Sequence, residues 1–322
     1  ELPRPRVKLG SGRVLTLTQD AFELHRRAPV RADRKAVFDA FFGGWKAFEG
    51  TFGANLAAQV QGTVYAARAR RFATSLDAAL FAVDMPPAVY RMLVDQAQAG
   101  LPTLHRYLKL RKKMLGIRGD LAYQDNYPPL VRPARDERYD LERSKALTLQ
   151  ALAPLGDEYL GLLKQGFASR WVDSHPRPGK ASGAYMAGSA YDMHPYVLLN
   201  HTDDFESLST VAHEWGHAVH TLLAKGSQPF EKADYSTFIA ESASIANEML
   251  LIDHLVATAR TREAKLAFLA EALESIRTTF FRQAMFAAFE LAMHEEVEAG
   301  RALSGKRLSE LYCGVARRYY GE

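Results

Sequence analysis

The sequence predicts a mainly α-helical protein with a small β region just before the helix that carries three of its histidines. Three observations predict it. Apolar residues recur at helical spacing through most of the chain. Prolines such as Pro86 and Pro87 stand where the first turn of a helix accepts them. One stretch, Trp171 to Asn200, breaks this character: it is rich in Gly, Ser and Tyr and ends in the apolar run YVLL, as turns and short strands do.

In chain order, the first helical run begins near Asp33 and continues through KAVFDAFFGGWKAFEGTF, with a helix-rich stretch to about Phe72. The helix after Pro87, or a pair broken near Gly100 and Pro102, reaches Gly116. It places Leu104, Tyr107, Leu108 and Leu115 near one face. Arg106, Lys109, Lys112 and Lys113 lie mostly elsewhere. With no accompanying aromatic stacking pattern they read as a solvated basic face, not a nucleic-acid stripe. YQDNYPPLVRPARDERYD is a proline-rich polar connection and the best candidate for an internal boundary. It divides a helical lobe portion, 1–130, from a catalytic portion, 131–322. Leu141 to Ala168 reads as helix, and helical patterns resume at about Asp203 and continue almost to the end.

The 322 residues are 48% hydrophobic and 24% charged, which is globular composition. The net charge of +4 is spread along the chain and argues for no particular partner. Cys313 is the single cysteine, so no internal disulfide forms. That fits a cytoplasmic location. No apolar run is long enough to span a bilayer, so no membrane partner is expected, and the solvated basic face leaves nucleic acid unexpected as well. The start, ELPRPRVKLG, has no apolar central region of a signal peptide and no initiator Met. The chain is expected to be a piece of something longer. Oligomeric state is not set by the sequence.

The chemistry concentrates in VAHEWGHAVH, Val211 to His220. Asp203 followed by Glu206 has capping-box spacing, so a helix is expected to begin there and to stop at Gly226. On it, His213 and His217 stand four residues apart, roughly 40° apart around the axis, so both rings reach one point. Glu214 is one step off. It reaches a water at that point better than the point itself. Two zinc ligands and a general base is the physical content of this pattern. Two satisfied structural histidines are the alternative.

A third ligand is then required. His220 lies near the same face, but its ring starts about 4.5 Å beyond His217 along the axis, too far for one tetrahedral ion. The pattern with a Gly seven and a His ten residues after the first His fails, because His220 and Leu223 stand there. A glutamate from a second helix remains. FIAESASIANEMLL supplies Glu241 within an otherwise mostly apolar helix expected to start near Asp234. A buried carboxylate requires a partner, and a metal provides one. Ser244 and Glu248 share the Glu241 face, and either is placed to accept the outer N–H of a ligating histidine. His220 is expected to be structural or pocket-lining. Gly216 is poor in a helix interior, by roughly 1 kcal/mol against Ala, so something is expected to approach the helix closely there.

These residues together resemble the oligoendopeptidase F branch of the thimet oligopeptidase and neurolysin family of zinc metallopeptidases. The resemblance extends to LHRYLKLRKKMLGI, GKASGAYMAGSAYDMHPYVLLN, FIAESASIANEMLL and FRQAMFAAFELAMHEEVEAG, and covers most of the chain after about Asp33. It implies a zincin-like, neurolysin-like helical fold that hydrolyses short unstructured peptides. Carried over by motif, His213, His217 and Glu241 bind one Zn2+ per chain and Glu214 is the base. Tyr185, Tyr191, His194 and Tyr196 are the implied candidates for the peptide-binding wall, with ordinary loop packing as the alternative for each. In the family a Tyr- and His-rich stretch beyond Glu322 helps stabilise the tetrahedral intermediate, and the N-terminal helical portion is longer. The chain is therefore expected to be truncated at both ends relative to the family, and weak or inactive by itself. The rival readings are a zinc exopeptidase and a zinc- and peptide-binding scaffold without turnover.

Overall fold

The structure, a computed structural model, describes residues 4–131 and 137–321. Its elements follow the capping and breaking residues. Strands β1 (Arg6–Lys8) and β2 (Val14–Thr16) pair antiparallel, followed by helices α1 (Gln19–His25), α2 (Arg31–Lys46), α3 (Glu49–Ala69), α4 (Ser75–Phe81), α5 (Pro87–Ala99) and α6 (Leu101–Met114). Next come α7 (Leu141–Ala151), α8 (Asp157–Ala168), strands β3 (Val172–Asp173), β4 (Tyr185–Ala187) and β5 (Tyr196–Leu198), and helices α9 (Phe205–Ser227), α10 (Thr237–Thr258) and α11 (Arg262–Ser275). A π-helical stretch, Ile276–Phe281, leads into α12 (Arg282–Glu298), and α13 (Gly305–Tyr320) follows.

The chain forms two units, Glu1–Leu130 with Glu274–Glu322, and Val131–Leu273. The first change of unit falls in the proline-rich connection, of which residues 132–136 lie outside the described residues. Residues 131–322, read from sequence as one portion, are divided. From Glu274 onward the chain returns to the first unit, because α12 and α13 complete cores begun much earlier. Leu101, Leu104 and Leu108 pack with Phe281, Met285 and Tyr319, and Val60 and Val64 pack with Met293 and Leu308. At Gly53 a Cβ would stand 2.4 Å from Gly305 Cα, so helices α3 and α13 touch backbone to backbone.

Two further features of the first unit depart from the sequence reading. The β1–β2 hairpin was not anticipated: each strand has three residues and buries only one, Val7 or Leu15, too little alternation to detect. On α6, Arg106, Lys109 and Lys113 are exposed as expected, but Arg111 is buried. It donates to the Asp125 carbonyl (2.9 Å) and to Glu274 (2.8 Å).

In the second unit the helix expected over Leu141–Ala168 is two. Pro154 lies in a short 3-10 turn and Gly156 takes φ +90°, a conformation only glycine adopts cheaply. The three strands are ordered β3-β5-β4, with β3 parallel and β4 antiparallel to the central β5. Lys180 fixes the loop beneath them. Its ammonium donates to the carbonyls of Asp173 (3.0 Å), His175 (2.8 Å) and Leu199 (2.5 Å), which ties β3 to the end of β5. Val197 and Leu199 pack with Val211, Trp215, Ala218 and Val219 of α9, and with Leu152 and Leu163, in one core. No helix among the described residues is long and apolar enough to cross a membrane.

Candidate metal centre

Helix α9 starts one residue later than the sequence suggested. Asp204 is the cap, accepting from the Ser207 N–H at 2.8 Å, while Asp203 stands outside the helix at φ +62°. Gly226 does not end it. The helix runs through to Ser227, because that glycine keeps a helical conformation instead of the left-handed one that stops a helix.

On this helix the His213 and His217 Nε2 atoms stand 3.2 Å apart. Glu241 Oε2, from α10, lies 3.3 Å from the first and 3.4 Å from the second. Ligands held at about 2.0–2.1 Å by a tetrahedral ion stand roughly 3.3–3.4 Å from one another. The three atoms therefore form a face that such an ion fits, and among the described residues these are the one group of His, Cys, Asp and Glu placed to hold a metal. Glu241 is not the buried acid expected from its apolar neighbours. Its side chain is 56% exposed, because the first turn of α10 faces solvent, Phe238 and Ile239 included.

Each residue of the triangle has a second contact. His213 gives its Nδ1 to Glu248, which leaves Nε2 for the triangle. His217 donates to the backbone of Ala240. Ser244 does not meet a histidine. Its hydroxyl donates to Glu241 Oε2 at 2.7 Å and so steadies that carboxylate. The two imidazoles differ in charge preference. Burial disfavours the charged form of both, but Glu248, Glu214 and Glu241 raise His213 above its ordinary pKa, while His217 stays lowered.

Glu214, one helical step on from His213, is buried in the protein. It is 6% exposed and accepts a backbone hydrogen bond from Met186 of β4. Burial pushes its carboxyl up to about 7; Glu241 and Glu248 add to this and His213 opposes it. A cation on the triangle would pull it back down. His220 lies outside the triangle: its ring stacks on Tyr235 at 3.9 Å, and the Tyr235 hydroxyl meets Thr221 Oγ1 at 2.7 Å.

The four aromatic candidates separate into two kinds. Tyr185 and Tyr196 are 49% and 48% exposed and share a face of the β4–β5 pair, whose register sets Tyr185 opposite Leu198 and Ala187 opposite Tyr196. Tyr191 is occupied, donating to the Gln228 carbonyl at 2.8 Å with its ring edge-on to Phe230. His194 stacks on Trp171 at 4.4 Å and packs against Tyr196.

The sequence profile of peptidase family M3 matches residues 24–322. The chain belongs to peptidase family M3. Within the family it falls in the oligoendopeptidase F branch. It is 36% identical over 318 residues to the oligopeptidase PepF of Bacillus subtilis, covering 99% of this chain and 47% of that protein. It is 35% identical over 320 residues to an oligoendopeptidase F homologue of Lactococcus lactis, covering 99% of this chain and 53% of that one. The crystal structure of a candidate peptidase from Chlamydophila abortus superposes with a TM-score of 0.85 at 34% identity, over 100% of this chain and 53% of that one. This M3 chain thus spans about half the length of the curated relatives it matches.

In this M3 site the close approach expected at Gly216 is the backbone of α10. A Cβ there would lie 2.6 Å from Ser244 Cα and 2.9 Å from the Ala243 carbonyl oxygen. Neither atom is the end of a flexible side chain, so Gly216→Ala must push the two helices apart. The expected net loss is about 1–3 kcal/mol, despite the better helix propensity of Ala. That lowers Tm by several degrees in a thermal melt, and a variant that melts with the parent would discredit the contact. Sequence reading missed two residues of this neighbourhood, Tyr235 and Asn247. The second carried a signal: a polar residue adjoining Glu248 on a mostly apolar helix.

Proposed function

We propose that the protein is a zinc-dependent endopeptidase acting on short peptides. His213, His217 and Glu241 hold one Zn2+ per chain, and Glu214 is the general base. The near-equilateral triangle of 3.2, 3.3 and 3.4 Å carries this reading. Three neutral or acidic acceptors drawn that close have little reason to stay together without a cation. When bound, the ion supplies Lewis acidity, which makes a water nucleophilic near neutral pH and polarises a carbonyl.

The remaining chemistry belongs to side chains. Glu214, one helical step from the ligand face, takes the proton of the attacking water and returns it to the leaving amine. Its burial excludes bulk water from competing for that proton. Glu248 holds the His213 ring in one tautomer, with the ligating nitrogen bare. Tyr185 and Tyr196 offer an exposed aromatic face to a peptide, and β4, at the edge of its sheet, suits an extended chain. The oligopeptidase names of its relatives support the substrate class.

Hydrolysis of an internally quenched peptide by the zinc-loaded protein, its loss on chelation and its return with zinc are the expected results. One bound zinc per chain with no cleavage across a peptide panel would instead favour a binding scaffold.

A further inference from the structure

We propose that Asn247 is a positioning residue: its side-chain amide sets the register of α10 on α9 and thereby the spacing of Glu241 and Glu248 from the two histidines. The inference rests on the reading of those residues as a cation site. Asn247 is 1% exposed. Its Nδ2–H donates to the Ala212 carbonyl at 2.9 Å, and its Oδ1 accepts from the Tyr159 hydroxyl at 2.9 Å. One amide therefore joins α8, α9 and α10.

The juxtaposition is specific. Asn247 and Glu248 are consecutive on α10, and they meet Ala212 and His213, which are consecutive on α9. Glu241 lies on the same helix less than two turns away. Of the other buried residues of α10, the Ser244 hydroxyl bonds only to Glu241 of its own helix, and Leu251, Ile252 and Leu255 are apolar and fit their surroundings over a range of small shifts. An amide does not. A hydroxyl donor on one side and a carbonyl acceptor on the other fix its orientation, and sliding the helix leaves buried polar groups unpaired. The Gly216–Ser244 contact sets how closely the helices approach. Asn247 sets where along each other they lie. A metal face with edges of 3.2–3.4 Å tolerates little error there.

The test is the double variant Tyr159→Phe with Asn247→Leu. The double variant removes the Tyr159 hydroxyl together with its acceptor and leaves the Ala212 carbonyl its place in the helix ladder, so the change in stability should be small, and a purely structural role predicts parental metal binding. Thermal melts of the metal-free protein, zinc affinity by chelator competition and the visible spectrum of the cobalt(II) form are measured together. The expected outcome is a metal-free Tm close to the parent's, a zinc Kd weaker by about 10–100-fold and an altered cobalt(II) spectrum. Parental affinity and spectrum in a folded double variant overturn the proposal. If the double variant does not fold, Tyr159→Phe alone decides: it removes one oxygen, and a several-fold weaker zinc Kd supports the proposal while an unchanged one overturns it. A parent protein that takes up no zinc overturns the cation site itself, and this inference with it.

Discussion

With Glu214 as the proposed general base, Glu214→Gln is expected to lower peptide hydrolysis by about 10²–10⁴, the usual contribution of such a group, equivalent to roughly 3–5.5 kcal/mol of barrier. The substitution keeps shape and volume. Glutamine still offers an acceptor to the Met186 N–H, and it removes an acid from a site that is 6% exposed. Folding should therefore be unharmed and zinc content unchanged. Only proton transfer is lost, so kcat falls and KM stays near the parent value. The comparison requires a preparation of the protein with measurable turnover. Turnover within a few-fold of the parent, at equal zinc content, would remove Glu214 from the role of base.

Glu241→Gln acts on binding instead. Glu241 is the one anionic group of the triangle, and a neutral amide oxygen would face the proposed cation in its place. Changes one shell further out typically cost about 10–100-fold in metal affinity, so the loss here should exceed that. Because the side chain is 56% exposed, its replacement burdens no core, and the metal-free protein should melt with its parent. Dialysis followed by metal analysis reads the effect. Retention equal to the parent would mean that another group completes the site. His220 would be the first to test, although its ring is stacked on Tyr235.

Much of this centre was legible because helical periodicity alone brings His213 and His217 to one point. Glu241 was legible because an acid in an apolar helix needs a reason. Its exposure was not. Sequence shows what surrounds a residue along the helix, not which turn of that helix faces solvent. The cap was ambiguous for a local reason: Asp203 and Asp204 are adjacent, and the backbone angle that rejects the first is invisible in the sequence. The break at Pro154 and Gly156 was there to be read and was passed over. Arg111 was out of reach, since its carboxylate partner, Glu274, is 163 residues away. The return of α12 and α13 to the first unit was equally hidden, because only long-range packing produces it.

That return governs the order in which the protein can be made. Domains generally fold from the N-terminus as synthesis proceeds, but the first unit cannot. Two of its cores need partners that emerge after Glu274, and Gly53 must wait for Gly305; the core around Val7, Phe22 and Val37 does not. Closing a loop that long carries an entropic penalty that grows only as the logarithm of its length, so the delay is one of time more than of energy. The second unit is continuous in sequence, and its whole metal triangle lies within Val131–Leu273. At about 5–20 residues per second, the roughly 50 residues that complete the first unit take several seconds more to appear. During that interval the helices of the proposed cation site are already complete, while the older part of the chain still has apolar faces uncovered.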